Sequence, residues 1–567
     1  LAVWLLKDEG AHTPGFFAQV KARYEAILVA VLARKAVVVL GGVALAAAFI
    51  AVLGPQLGRE IFPPANNGQL QVRLRAPAGT KLDKTEQIAL RALDVIKLEL
   101  GAENIGTTLG LVGVHAPNYP VNLVHAWNSG TDEATLQVQL KPDAKVDLDA
   151  AKENLRRRLG AAMPDVRLSF EPADIVSRVM SFGAPTPIEI AVSGPSLADN
   201  RAHAEAVRAE LAKIPELRDL QFAQTIDTPA LEVNINREKA GLMGIRMADA
   251  ARSVIEATGS SRFILANYWA DPKTGVAFQV QVQVPATSTK SIEDLRNLPV
   301  GTAGQQPVLL RSIASLKEGV AVAQYDRYNM QRLATLTANY AGTDLGHLAD
   351  RIDAAIAAAG KPPAKVKVDQ RGQVPPLREL LDGLGGGLAI ALVIVALLLA
   401  ANFQSIRLAA IVLASLSVVI AGVITALLLT GSTLNIESFI GAIMAVGVAV
   451  ANSILLLTAA EEARRGGASS ADAARQAGAT RLRAILMTSL AMLAGMIPMA
   501  LGWSEAGSQT APLGRAVMGG LIFGTVATLT LVPAAYAWAM ASAGRTSLSV
   551  DPDDPQSTHY QKDHAVS

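Results

Sequence analysis

The run LAAIVLASLSVVIAGVITALLLT, residues 408–430, contains no charged side chain and no proline. A helix needs about 20 mostly apolar residues to cross a bilayer, since lipid cannot hydrogen-bond an exposed backbone. This run is long enough. So are residues 36–53, 384–401, 439–460, 485–501 and 516–541, none with a charge in its central stretch. The last five follow in quick succession, whereas a polar stretch of residues 56–382 separates the first two. The expected fold class is therefore an α-helical transmembrane bundle of about six spans plus a large α+β region inserted after the first.

Lys and Arg in short loops set orientation. Arg34 and Lys35 precede the first span, and Arg407 lies between the second and third. Arg464, Arg465, Arg475, Arg481 and Arg483 lie between the fourth and fifth, and Arg545 follows the last. Alternating crossings put all of these on one side, which reads as the cytoplasm. The opposite loops, 431–437 and 503–515, hold one Arg between them. The long polar segment then lies outside the cytoplasm. Residues 14–32 carry Phe16, Phe17, Val20, Tyr24, Ile27 and Leu28 at helical spacing, with Lys21, Arg23 and Glu25 elsewhere. They read as an amphipathic helix along the cytoplasmic membrane face.

Within the polar segment, residues 69–76 alternate, Leu70, Val72 and Leu74 inward against Gln71, Arg73 and Arg75 outward. A helix over 80–100, strands near 105–109 and over 135–140, a helix over 147–159 and a strand over 166–170 complete a βαββαβ, ferredoxin-like unit. The pattern returns: strand 188–192, helix 198–213 and strand 217–222, then strand 333–339, helix 345–359 and strand 366–369. Between these halves lies an insert with strands expected at 230–235, 275–284 and 308–313 and a helix over 248–258. Paired α/β units suit a transporter that opens and closes a cleft better than a receptor with one sensor domain.

Small residues let helices pack closely in lipid, where apolar burial gives no drive to associate. Gly441, Ala445, Ala449 and Asn452 share one stripe of the fourth span. Gly520, Gly524 and Thr528 do so on the last span, and Thr488, Ala491 and Gly495 on the fifth. Asn452, Ser453, Thr488 and Ser489 put polar groups deep in the membrane, as interhelical hydrogen bonds or as a proton or ion path. Arg481 shares a face with Thr488, as the mouth of such a path or as an ordinary topology-setting arginine. Gly383, Gly385, Gly386 and Gly387, at the entrance to the second span, form a hinge candidate. No Asp or Glu lies centrally in any span, so an intramembrane carboxylate for proton coupling is expected upstream of this chain, or is not used.

The chain has 567 residues, 51% hydrophobic and 18% charged, too many for one domain and too apolar for an ordinary soluble protein. The formal net charge of +2, with no basic stripe, excludes a nucleic-acid partner. Cysteine is absent, which excludes disulfides and thiolate metal sites. No His-Glu-x-x-His or paired-aspartate motif of an intramembrane enzyme occurs. The chain begins with Leu1 and shows no cleavable leader, so its natural start is expected upstream.

Three strings carry a family resemblance. Gly58-Arg59-Glu60-Ile61-Phe62-Pro63 followed by Gly68-Gln69, Ile485-Leu486-Met487-Thr488-Ser489-Leu490-Ala491, and Val517-Met518-Gly519-Gly520 with Val532-Pro533 resemble the C-terminal half of a resistance–nodulation–division (RND) efflux pump inner-membrane permease. The resemblance implies a multi-pass protein of the cell inner membrane, a homotrimer that works with a periplasmic membrane-fusion adaptor and an outer-membrane channel. It implies a secondary active transporter, an antiporter of the multidrug-resistance type driven by the proton motive force without a cofactor. The segments it assigns are 1–33 (end of a preceding helix and the cytoplasmic helix), 34–55 (a span), 56–183 (a porter subdomain), 184–229 and 328–382 (two halves of a second), 230–327 (an inserted docking subdomain), 383–541 (five spans) and 542–567 (a disordered cytoplasmic tail). Asn452, Thr488 and Arg481 match relay positions, but Ala451 stands where the drug-efflux branch has a lysine. Amphiphilic organic substrates are favoured, because Met163, Met180, Met243, Met247 and Met330 show no ligand spacing for a soft metal. His115 and His125 share a loop with Tyr119 and Trp127. A heavy-metal efflux permease and an RND-superfamily accessory of protein translocation are the alternatives.

Overall fold

In the computed structural model the described residues are 16–63, 68–114, 128–144, 146–261, 264–265, 267–285, 291–503 and 507–542. The expected helix end at residues 1–6, the loop with His115, Tyr119, His125 and Trp127, and all but the first residue of the expected tail lie outside them.

Helix α1 (Phe16–Ala33) leads into α2 (Lys35–Leu53). A first unit follows: β1 (Gln69–Arg75), α3 (Leu82–Leu100), β2 (Ile105–Val112), β3 (Glu133–Leu140), α4 (Leu148–Ala162) and β4 (Arg167–Glu171). Its strands run in the order β2-β3-β1-β4, every neighbour antiparallel, so the first and third strands are central as in a ferredoxin-like sheet. Leu70, Val72 and Leu74 of β1 meet Ala92 and Ile96 of α3 and Leu155 and Leu159 of α4 in one core. Short α5 (Ile175–Met180) leads to β5 (Ile188–Gly194), α6 (Leu197–Leu211) and β6 (Leu217–Phe222).

The chain then leaves through β7 (Thr228–Ile235), α7 (Arg237–Leu242), α8 (Met247–Thr258), β8 (Asn267–Ala270), β9 (Ala277–Val280), α9 (Ile292–Arg296), β10 (Pro299–Ala303), β11 (Gln306–Leu309), α10 (Leu310–Ile313) and β12 (Ala314–Ala321). Strand β12 returns antiparallel to β7, so this insert leaves and rejoins at one place. The strand expected at 308–313 is in fact the end of β11 and one helical turn. Leu310 and Ile313 are both buried, and spacing three apart suits a helical turn whereas a strand would turn them to opposite faces. A second ferredoxin-like sheet is then completed by short β13 (Arg327–Tyr328), β14 (Gln331–Tyr340), α11 (Leu345–Ala358) and β15 (Lys367–Gly372), in the order β6-β14-β5-β15.

Five long helices close the chain: α12 (Val374–Phe403), α13 (Ile406–Leu429), α14 (Ile436–Arg465), α15 (Ser470–Leu501) and α16 (Gly507–Ala539). With α2 they make six helices long and apolar enough to span a membrane. Helix α16 lies along α13, α14 and α15. Small residues set these crossings. A Cβ on Gly519 would overlap Ala426 and sit 2.5 Å from the Gly422 carbonyl oxygen, and one on Gly520 would sit 2.5 Å from the Ala445 Cβ. Gly441 backs onto the Leu513 carbonyl, and Gly524 onto Val419 and Ala449.

Two further expectations need correction. Thr488, Ala491 and Gly495 do not form a packing stripe: all three are exposed, and a Cβ on Gly495 would meet nothing within 4 Å. Helix α15 turns Leu482, Ile485 and Ser489 inward instead. Gly383, Gly385, Gly386 and Gly387 do not stand at a helix entrance, and the boundary drawn at 382/383 falls inside α12, which begins at Val374. Val374 and Leu377 are buried in the core of the second unit, so packing starts the helix there and it runs on through the glycines. Each glycine costs a helix about 1 kcal/mol relative to alanine, which neighbouring packed turns can carry.

Residues 58–61 join the two parts of the molecule. Leu434 N–H donates to the Gly58 carbonyl (2.7 Å) and Glu60 N–H to the Leu434 carbonyl (3.1 Å), just before α14. Gly346 N–H, in the first turn of α11, donates to the Arg59 carbonyl (2.9 Å).

Replacing Gly519 by alanine puts a methyl into a backbone contact, and overpacking of this kind costs about 1–3 kcal/mol. Gly519→Ala in the full-length protein should lower the thermal unfolding midpoint in detergent. Gly495→Ala should leave it unchanged or raise it slightly, since its Cβ enters open space. Equal midpoints for the two variants would show that the α13–α16 crossing does not depend on glycine.

Candidate functional site

The polar residues inside the bundle divide into two sets. Asn452 and Ser453 of α14 are buried at 6% and 0% exposure, and the Ser453 Oγ has no hydrogen-bond partner. Ser489 of α15 is buried and accepts a hydrogen bond from Thr525 of α16 (2.8 Å), tying two helices together. Thr488, one residue earlier, faces outward. Its hydroxyl donates back to its own helix, to the Ala484 and Ile485 carbonyls at 3.1 and 3.0 Å. Arg481 is half-buried, and its Nε is buried without a partner. Of the five relay candidates, the structure thus turns Asn452, Ser453 and Ser489 into the bundle and leaves Thr488 on an open face.

A buried ionic cluster lies at the end of the bundle away from the sheets. Arg464 Nη2 lies 2.9 Å from Glu461 Oε2, three residues earlier on α14, and the Tyr536 hydroxyl donates to Glu461 Oε1 (2.9 Å). Tyr536 is fully buried, and Glu461 and Arg464 are 8% and 4% exposed. Sequence reasoning took Arg464 as a loop charge. The Glu-x-x-Arg spacing at a span's end, with a lone Tyr in the last span, was the available signal.

The outward face of β1 is not solvated either. Gln71, Arg73 and Arg75 are all under 10% exposed. Arg75 Nε donates to Glu133 Oε1 (2.7 Å) and Arg73 Nη2 lies 3.2 Å from Glu133 Oε2. The Arg75 guanidinium also reaches the Phe222 and Ala223 carbonyls of the second unit, at 2.8 and 2.6 Å. Asp219 of β6 answers from the other side. It receives two bonds from Arg156 of α4 (2.8 and 3.0 Å), one from Phe170 N–H of β4 (3.1 Å) and one from Asn339 (2.9 Å). Edge strands of the two sheets are therefore pinned by charged side chains and backbone. A residue that points away from its own core can still be buried by a neighbouring unit.

Three cavities lie at or near the first unit. One of about 690 Å³ lies between the units, lined by Arg75, Arg167, Asp132, Arg201, Glu205 and Asp227 among others. A second of about 410 Å³ opens between β1 and α5, lined by Gln71, Glu171, Arg178, Ile175 and Val179. A third of about 270 Å³ adjoins it through Gln71 and Arg178 and runs along Gln137 and Gln139. Gln71 donates to Glu171 (2.7 Å) and Gln137 to Gln71 (3.1 Å), a polar wall beside the apolar helix α5. Burial pushes the Glu171 carboxyl up, against the pull of Arg73 and Gln71. Ile175, Val179 and Phe182 are 76%, 65% and 75% exposed. No methionine, histidine or cysteine lines any of the three cavities. Met163 is core, whereas Met180 and Met247 sit in α5 and α8, Met243 just after α7 and Met330 between β13 and β14.

The AcrB/AcrD/AcrF family profile matches residues 6–540. The cation efflux system protein CzcA of Alcaligenes sp. (strain CT14) is 27% identical over 523 residues, covering 91% of this chain and 48% of that protein. The cobalt-zinc-cadmium resistance protein CzcA of Cupriavidus metallidurans (strain ATCC 43123 / DSM 2839 / NBRC 102507 / CH34) matches equally, 27% over 523 residues. An X-ray crystal structure of a heavy metal efflux pump superposes with a TM-score of 0.80 at 23% identity, over 92% of this chain and 52% of that one. The chain spans about half the length of the curated relatives it matches.

Glu133 is fully buried between two arginines. Burial pushes its carboxyl up, but Arg73 and Arg75 outweigh this and hold it below its ordinary value of 4.5. Its folded pKa is depressed, so its stabilisation is present above the ordinary carboxylate range and is lost as pH falls below it. Glu133→Gln takes the carboxylate from buried Arg75 and leaves Arg73 with Glu171 at 4.0 Å, and should cost about 3–5 kcal/mol. Chemical denaturation at neutral pH, followed by a probe placed in the first unit, measures this. The gap between variant and native protein should shrink on acidification.

Proposed function

The chain belongs to the AcrB/AcrD/AcrF family of RND permeases, and from that premise we propose that it is part of an inner-membrane efflux permease that exports amphiphilic organic compounds by proton antiport. The observation that carries this reading is the pair of ferredoxin-like units, pinned along one seam with a cavity between them, inserted after the first of six spanning helices. The arginine bias of the opposite loops supports placing both units in the periplasm. The second cavity, lined by Ile175 and Val179 of α5 together with that helix's own Arg178 and with Gln71 and Glu171, suits a substrate with an apolar body and a polar head.

Proton movement through Asn452, Ser453, Ser489 and Arg481, with Thr488 at the open face of α15, is the coupling route this reading assigns. The proton motive force is its driver, and no cofactor is required. Exposure of Thr488 is compatible with a partner surface that covers it in the assembly.

Assembly as a homotrimer is supported by the β8–β9 hairpin of the insert. Tyr268, Trp269, Phe278 and Val280 are each about half exposed there, an apolar surface that a second protein chain would cover. A periplasmic adaptor and an outer-membrane channel complete the proposed export path, with the insert facing them.

A second reading is favoured by the names of the relatives, which are cation-efflux and metal-resistance proteins. Export of divalent or soft metal ions would then replace organic substrates. Expression of the full-length protein with its partners, in cells stripped of their own pumps, separates the two. Raised tolerance to amphiphilic dyes and detergents, with unchanged tolerance to cobalt, zinc and cadmium, supports the organic reading, and the reverse pattern supports the metal reading. In the same system Thr488→Ala should reduce pH-gradient-driven export while leaving trimer assembly intact. Unchanged export would retire Thr488 from coupling.

A further inference from the structure

Glu60 sits where the membrane helices meet the second unit, and nothing in the transport reading uses it. It is 5% exposed. The segment around it is bonded on two sides: to the residues that start α14, through Gly58, Glu60 and Leu434, and to the start of α11, through Arg59 and Gly346. Both helix starts are capped by side chains within the same cluster. Asn435 caps α14 and also donates to the Thr433 hydroxyl (3.2 Å), which in turn donates to the Glu60 carboxyl. Asp344 caps α11 and accepts from the Arg59 backbone N–H (3.1 Å).

The charged groups around Glu60 come from every element of the joint. Asp344 and His347 belong to α11 and bond to each other. Arg59 lies beside Glu60, with its guanidinium 2.7 Å from Asp350. Tyr340 comes from β14 and feels the Glu60 charge. Arg515 of α16 is taken up by Ser432 (2.6 Å) and the Ala500 carbonyl (3.0 Å). Among the described residues no Lys, Arg or His is paired with Glu60. A buried carboxylate held only by neutral donors, with an anion nearby, is costly when ionised.

We infer that Glu60 is a proton-binding site that latches the membrane bundle to the second sheet unit, closed when protonated and loosened when ionised. Burial is the main cause that moves its carboxyl up to about 7, with Asp344 adding to the rise and Thr433 and Asn435 opposing it. The folded value lies above the ordinary 4.5, so the folded joint binds the proton more tightly than the unfolded chain does. Stabilisation is therefore greatest at acidic pH and falls as pH rises toward and through about 7. The latch responds to pH on the side of the membrane that bears the sheets, and it stands whether or not the chain couples transport to protons.

Amide hydrogen exchange on the full-length protein in lipid nanodiscs tests this, with rates corrected for intrinsic pH dependence. Peptides covering residues 58–62 and 431–438 should exchange several-fold faster at about pH 8.5 than at about pH 6 in the native protein. Glu60→Gln, which mimics the neutral carboxyl, should keep the slow rate at both. Thr433→Val removes a donor that favours the charged form, so its transition should move to higher pH. The inference is overturned if native exchange shows no such transition, if Glu60→Gln retains it, or if Thr433→Val leaves its midpoint in place. Export activity is not a readout here, so loss of the transport reading would leave the result interpretable.

Discussion

Hydrocarbon gives apolar helices no reason to leave it for one another, so a bundle in lipid holds where backbones can touch and where polar groups find partners. Every crossing of the central helix α16 follows from this. Gly519 meets Gly422 backbone to backbone, Gly520 takes the Ala445 methyl, and Gly441 lies on the Leu513 carbonyl. Against α15 both devices serve: Gly514 lies on the Ala500 backbone, and Thr525 donates to Ser489. The apolar faces of α2 and α12 show the other side of the rule. Val37, Leu40, Leu397 and Leu398 remain largely exposed, as side chains suited to lipid or to another membrane helix would be.

Outside the bundle water is the solvent and the rule reverses. Each ferredoxin-like sheet buries an apolar face against its own two helices, and the second core also takes in Ile61 and the first turns of α12. What joins the two units is polar: Arg75 on the Phe222 and Ala223 carbonyls, Asp219 on Arg156 and the Phe170 amide. Such contacts are directional. They fix one relative placement without fusing two cores into one, and they leave a cavity between the units. A transporter needs that combination, since rigid units around an adjustable cleft can open and close without unfolding.

The two solvents meet along the first turns of α12, which begin in the core of the second unit, and at residues 58–61. Here the bonds are short-range and mostly backbone, and they seize the capped starts of α11 and α14. A shift in the second unit must therefore act on the first turn of the helix that carries Asn452 and Ser453. The Glu461–Arg464–Tyr536 cluster anchors the far end of that same helix. Helix α14 is thus held at both ends by polar clusters and in the middle by small-residue packing.

Hydropathy and alternation were enough to find the six long helices, the two βαββαβ patterns and the insert between halves of the second, because each depends on local periodicity of side chains. The stripes of Gly441 with Ala445 and Gly520 with Gly524 were legible for the same reason: small residues four apart share a helix face. Periodicity cannot say which face has a neighbour. Thr488 and Ser489 are adjacent polar residues in one span, yet only Ser489 meets α16. Nor can alternation along β1 show that Arg73 and Arg75, turned from their own core, are buried against a carboxylate and a second unit. Glu461 and Glu60 looked like residues just beyond the ends of spans, and only the packing of α16 and of the loop before α14 took them out of water. Local pattern determines which residues share a face; long-range contact decides what that face touches, and it is contact that sets burial, charge and chemistry.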